Sequence, residues 1–194
     1  MRVRRYGDSG QAFPIYITVA GGLLFLAFAY LAVGQAAVNR NGAQTAADAA
    51  ALAEAMNTRK ELADQWVQDV SDPTKWLDIF EGKVTVPDSC WRAQQLADQN
   101  DAKAQCLPGP PLSFKVEATT NKKVGDSVVP GTESLQSTAD ATAVIQSLCT
   151  FPSSGDDSAL PELTCEDGRT WKLDPTDPTG LPGPEDLFDV HLAD

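Results

Sequence analysis

Apolar positions along this chain first run unbroken, then recur every fourth residue, and finally alternate. From Ala12 to Val33 the run AFPIYITVAGGLLFLAFAYLAV holds 22 residues and no charge. As a helix it is about 33 Å long at 1.5 Å per residue, enough to cross a ~30 Å hydrocarbon core. Pro14 lies near its start, where a missing N–H costs least. The run is longer than the ~7–15 apolar residues of a cleavable secretory signal, and the helical pattern continues past any cleavage point. Gly34 and Ala36 keep a cleaved signal open as the alternative to a retained anchor.

The pattern then becomes helical and polar. Gly42–Ala55, GAQTAADAAALAEA, contains eight alanines, the strongest helix former. Ala43, Ala47, Ala51 and Ala55 fall at i, i+4 intervals and form a ridge of methyl groups, which Ala46, Ala50 and Ala53 widen. A ridge this smooth lets another helix or a sheet approach closely; alanine supplied only for helix propensity is the plainer alternative. Leu62, Trp66 and Val70 continue the face with bulky side chains, Ala63 and Val67 beside them, and Arg59, Lys60, Glu61, Asp64 and Gln68 opposite. Pro73 stops the helix near Ser71, so residues 15–70 form one rod of roughly 80 Å.

Past the rod the elements shorten. Asp72-Pro73 reads as N-cap and first-turn proline of a short helix turning Trp76, Leu77 and Phe80 inward, with Gly82 ending it. Residues 89–99 form another helix. Pro108-Gly109-Pro110-Pro111 is a break. Strict alternation follows over residues 112–119 and again over 137–147 until Val144, where Ala139, Ala141, Ala143 and Ile145 share a face. Val124, Val128 and Val129 suggest a short strand between them. This predicts a two- or three-stranded antiparallel sheet whose apolar face needs a cover, for which the long helix is available. Beyond Thr150, six prolines and four glycines predict an irregular segment, with a hairpin turning at Asp167-Gly168 and a loose stretch over 174–183. Leu187–Leu192 is apolar enough to dock.

The chain thus divides into a basic N-terminus (1–11), a transmembrane helix (12–34), an extracytoplasmic α+β domain (35–150) and an acidic Pro/Gly-rich segment carrying a small hairpin (151–194). Arg2, Arg4 and Arg5 precede the span, and cationic flanks stay on the cytoplasmic side. The N-terminus is therefore expected inside the cell membrane and the rest outside, in a single pass. Net charge is −12, with 11 acidic against 2 basic residues over 151–194. So acidic an exterior repels phosphate backbones, and nucleic acid is excluded as a partner.

Cys90, Cys106, Cys149 and Cys165 all follow the span. An even count outside a membrane points to disulfides, most simply Cys90–Cys106 and Cys149–Cys165 among three possible pairings. No C-x-x-C pair suggests a metal. The first bridge requires the 89–99 helix to end and the chain to double back, for which Asn100-Asp101 is suited, because a straight helix would hold the two cysteines about 24 Å apart. The single histidine, His191, lies in a last stretch expected to be mobile. No nucleophile elbow, phosphate-binding glycine loop, H-E-x-x-H helix or calcium loop is present. No enzyme, cofactor, metal or small-molecule substrate is indicated.

One stretch is specific. Gly10-Gln11-Ala12, an apolar span, and then Arg40-Asn41-Gly42-Ala43-Gln44-Thr45-Ala46-Ala47-Asp48-Ala49-Ala50-Ala51-Leu52-Ala53 resemble the N-terminal region of TadE/TadG-like proteins of the bacterial tight-adherence (Tad, or Flp) pilus system. The resemblance covers about residues 7–56. It implies a membrane-anchored, pilin-like accessory subunit of a fibre-assembly and secretion machine, whose partners are the lipid bilayer and other pilin-like or Tad-system membrane proteins. A membrane-tethered protein that binds an extracytoplasmic ligand or envelope component is the alternative.

Overall fold

The structure, a computed structural model, describes residues 12–123, 134–152, 160–177 and 180–193. Arg2, Arg4, Arg5 and Gly10, and the strand expected around Val124, Val128 and Val129, lie outside them. Helix α1, Ala12–Gln68, is 57 residues long, about 85 Å at 1.5 Å per residue. It ends where Asp72 accepts from the backbone N–H of Thr74 at 3.3 Å and from its hydroxyl at 2.6 Å. A 3-10 turn, Pro73–Lys75, opens directly into α2, Trp76–Phe80.

Trp76, Ile79 and Phe80 are the buried residues of α2, and Leu77 is 55% exposed. The inward face is therefore spaced i, i+3, i+4, and the expected inward Leu77 is a correction. Val67 likewise opens to solvent, because the packed face at the end of α1 narrows to Leu62, Ala63 and Trp66, with Val70 buried just beyond it. Gly82 ends the α2 turn with φ +65, a conformation that costs glycine least.

Helix α3, Cys90–Gln99, gives way at Asp101 (φ 55) to strand β1, Ala102–Leu107. β2 is Ser113–Lys123, and β3 is Gln136–Ser147. All pair antiparallel, with Ala102 opposite Thr120 and Val116 opposite Ala141. β1 was not expected. Its inward positions, Ala102, Ala104 and Cys106, are too small to give a strand signal, and only Ala102 is fully buried.

The C-terminal segment is not irregular throughout. β4, Cys149–Thr150, β5, Leu163–Cys165, and β6, Thr170–Trp171, make a small second sheet, with Gly168 (φ +82) in the hairpin turn. A one-turn helix α4, Pro184–Leu187, then leads into β7, Phe188–Leu192. β7 pairs with β3 and completes a four-stranded sheet of order β1-β2-β3-β7. His191 sits in this strand opposite Val144, so the expectation of a mobile end fails there. Leu192 opposite Ala143 and Phe188 opposite Ser147 secure it.

One face of the sheet carries α1, with α3 beside it over β1. Between these layers lie the alanines of α1 and Val116, Ala118, Ala143 and Ile145 of the strands. The far end of the core is aromatic. Trp66 meets Trp76 at 5.6 Å between ring centroids, and Phe151 and Phe188 close on Phe80 at 5.6 and 5.2 Å.

Candidate functional site

Among the described residues no three of His, Cys, Asp and Glu gather where they could hold a metal ion. His191 Nδ1 lies 2.8 Å from Asp189 Oδ2 on an exposed strand face, and no nucleophilic side chain of the described residues is hydrogen-bonded to that pair. The feature that distinguishes this molecule is a surface: one helix with two unlike halves.

Over residues 13–42 every side chain of α1 is exposed except the half-buried Ala32 and Asn39. Apolar side chains point outward all round, among them Phe13, Phe25, Leu31 and Val38. The helix is long and apolar enough to cross a membrane, and its most apolar stretch is not buried among the described residues. A helix apolar on all sides is stable in lipid and costly in water. Arg40 is the first charge along it.

From Ala43 the helix docks. Ala43, Ala47, Ala51 and Ala55 are wholly buried, as are Ala46 and Ala50. They lie against a sheet that is itself small-faced, with Ala118, Ala139, Ala141 and Ala143 on β2 and β3. Alanine on both sides lets helix and strand backbones approach closely, so the ridge is taken up by the protein's own sheet.

The polar residues within this run have a role that spacing alone did not reveal. Gln44 Nε2 donates to Asp48 Oδ1 at 2.8 Å, one turn along, and to the Asp140 carbonyl of β3 at 3.2 Å. The Q-x-x-x-D spacing therefore clips the helix to the sheet at the point where it leaves the bare half. The signal was present in the i, i+4 pairing of Gln44 with Asp48.

Two disulfides tie the periphery. Cys90 at the start of α3 is bonded to Cys106 on β1, with Cα atoms 5.9 Å apart. Cys149 is bonded to Cys165, its direct partner across β4 and β5. Asp88 caps α3 by accepting from the Cys90 N–H at 2.9 Å, and Asn57 of α1 donates to Ser89 at 3.0 Å. Arg169 joins the hairpin to α4: it pairs with Asp167 and reaches Asp186 at 2.6 Å. Backbone and side-chain hydrogen bonds from Arg169 hold the Asp167 carboxyl below the ordinary range. On the outward side of α1, Met56 is about half exposed, with Trp91 of α3 open to solvent as well.

Residues 10–57 match the family model described as Tad, Flp pilus-assembly TadE/G-like. That interval takes in all of the bare half of α1 and the alanine ridge, and stops before the bulky anchors Leu62 and Trp66. No curated protein and no solved structure matches the chain. The long helix that joins a candidate membrane span to the domain is therefore where the chain is similar to the Flp pilus-assembly TadE/G-like family, over residues 10–57.

Proposed function

We propose that this protein is a membrane-anchored, pilin-like accessory subunit of a Tad/Flp-type pilus-assembly and secretion system, with a structural rather than catalytic role. The N-terminus is cytoplasmic, the span is retained in the bilayer, and the domain from about residue 35 stands outside. The observation that carries this reading is the continuity of α1. One unbroken helix delivers an apolar surface of membrane-crossing length and, without a hinge, anchors the domain by its alanine ridge. Because the ridge is used internally, the surface left for other membrane proteins is the bare half and the outward side of the docked half.

The test is a pull-down of the tagged full chain from mildly solubilised membranes, together with mass spectrometry of the mature protein. Recovery of Tad-system membrane proteins, lost when Leu23, Phe25 and Leu26 are replaced by alanine, is the expected result. A mature N-terminus at or beyond Val33 sinks the anchor. Retention of the span without any Tad-system protein sinks the accessory-subunit role and leaves a tethered binding protein.

A further inference from the structure

Glu54 is the one acidic residue turned inward from the alanine-rich run. Its side chain is only 8% exposed, and its Oε2 is withdrawn from solvent with no hydrogen-bond partner among the described residues. Such a group costs stability unless something compensates it, and each instance calls for an explanation. Glu54 forms part of the wall of a cleft of about 290 Å³ between α1, the 82–86 loop and the 107–114 loop.

The other walls are mostly apolar or proline. Pro108, Pro110 and Pro111 have no N–H to donate, and Ser113 adds a second hydroxyl to that of Thr58. Thr58 spends its hydroxyl proton on the Glu54 carbonyl at 3.0 Å and offers only acceptor lone pairs. Leu62, Val84 and Leu112 supply apolar walls. Among the described residues that line the cleft none is basic. Lys83, in the loop between Gly82 and Val84, pairs with Glu81. The further charge acting on Glu54 is Asp88, of the same sign. The cleft therefore has an apolar lining, an unpaired carboxylate oxygen and no basic group: it lacks a cationic donor on an alkyl stem.

We propose that this cleft binds an organic cation, the ammonium or guanidinium group of a small alkylamine or of a lysine or arginine side chain. The head group would donate to the Glu54 carboxylate, and the stem would lie along Leu62, Val84 and Leu112. The volume suits one such side chain. The protein's net charge of −12 favours its arrival. This site is independent of the pilus-assembly reading, since neither the span nor the bare half takes part.

The experiment uses the isotope-labelled full chain in detergent micelles, titrated with n-butylammonium or methylguanidinium and followed by NMR. Saturable shifts are expected at the amides of Gly82, Gly109 and Leu112, with n-butanol producing none. Burial, and Asp88 after it, push the Glu54 carboxyl up to about 7; bound cation should bring it back toward the usual carboxylate range. Glu54→Gln keeps the shape and removes the charge, and should weaken binding about tenfold or more. Asp88→Asn should weaken it less. A blocked Ala-Lys-Ala peptide that binds more tightly than n-butylammonium assigns the site to a protein side chain, and the reverse order assigns it to a free amine. Equal binding by wild type and Glu54→Gln overturns the proposal. So does the absence of saturable shifts with both cations in the wild-type protein, a result that does not depend on how the variant folds.

Discussion

Residues 12–42 and 43–68 belong to the same helix, yet they meet their surroundings by opposite rules. The first half turns large side chains outward in every direction and packs against none of the other described residues. The second half turns its smallest side chains inward and, Glu54 apart, its charges outward. Bulk on the bare half suits a solvent that is itself apolar. Smallness on the docked half suits a neighbour that is a backbone: methyl groups bury little area each, but they let α1 lie close on β2 and β3. Cohesion must then come from elsewhere, and the bulky cluster at the far end of α1 supplies it. The family match ends between these two zones, at residue 57. The shared part is thus the bare half with its ridge, and the aromatic lock belongs to the remainder of the chain.

The comparison breaks most directly at Trp66, which is wholly buried against Trp76. Trp66→Ala should cost about 3–5 kcal/mol in denaturant unfolding of the full chain in micelles, the range for a large aromatic lost from a core. Phe25→Ala, an equally drastic truncation on the bare half, should leave that unfolding unchanged. If both variants fall together, the bare half also packs on the domain and the two halves do not differ as described.

Acid titration separates the halves next. Residues 12–39 hold no Asp, Glu, Lys, Arg or His, whereas the docked half holds Glu54. Burial, then Asp88, raise its carboxyl from 4.5 to about 7. The folded protein therefore keeps a proton that the unfolded chain has released. Its stabilising effect is complete below pH 4.5, declines as pH rises toward 7 and is gone above that. The expected loss is on the order of 3 kcal/mol, and Glu54→Gln should flatten it. Asp69 and Asp72 act the other way. Hydrogen bonds, from Lys75 to Asp69 and from Thr74 to Asp72, lower both carboxyls below 3.8, so their contribution is lost only in stronger acid. A stability profile that is flat between pH 4.5 and 7 in the wild type would contradict the burial of Glu54.

Periodicity made much of this legible from the residues alone. The length of α1, its stop before Pro73, the alternation of β2 and β3 and the turn at Gly168 all follow from local chemistry. What stayed hidden depended on neighbours. β1 is built from Ala102, Ala104 and Cys106, which become a strand because β2 offers a free edge. β7 was recognisable as apolar but not as the strand beside β3, since pairing across some forty residues leaves no mark in sequence spacing. The methyl ridge was visible, and whether a sheet or another helix covered it was not. Glu54 passed unnoticed because a carboxylate on a helix is ordinarily solvated, and only the loops at 82–86 and 107–114 enclose it.

Close approach at the ridge is a claim about space, and Ala47→Leu or Ala51→Leu tests it with helix propensity nearly unchanged. Either should destabilise the fold by about 1–3 kcal/mol through overpacking. Ala20→Leu or Ala27→Leu on the bare half should have no such effect, because none of the described residues covers those positions. A tolerated leucine at Ala47 would mean that helix and sheet stand farther apart than alanine-to-alanine contact requires.

The smallest expected effect lies at the boundary itself. Gln44 donates to Asp48 on its own helix and to the Asp140 carbonyl on β3, both exposed. Gln44→Ala removes both bonds but slightly favours helix, so the net cost should be about 1 kcal/mol or less. Its location is more informative than its size. Amide hydrogen exchange should quicken around Ala43 and Ala47, where the helix is clipped to the sheet, and stay unchanged around Leu62 and Trp66. Asp48→Ala removes only the bond within the helix, so a difference between the two variants isolates the link to β3. Gln44→Glu should be the most disruptive of the three, because it sets a carboxylate against the Asp48 carboxylate and the Asp140 carbonyl. If all three leave exchange near Ala43 as in the wild type, the alanine ridge alone fixes the point at which the helix leaves the domain.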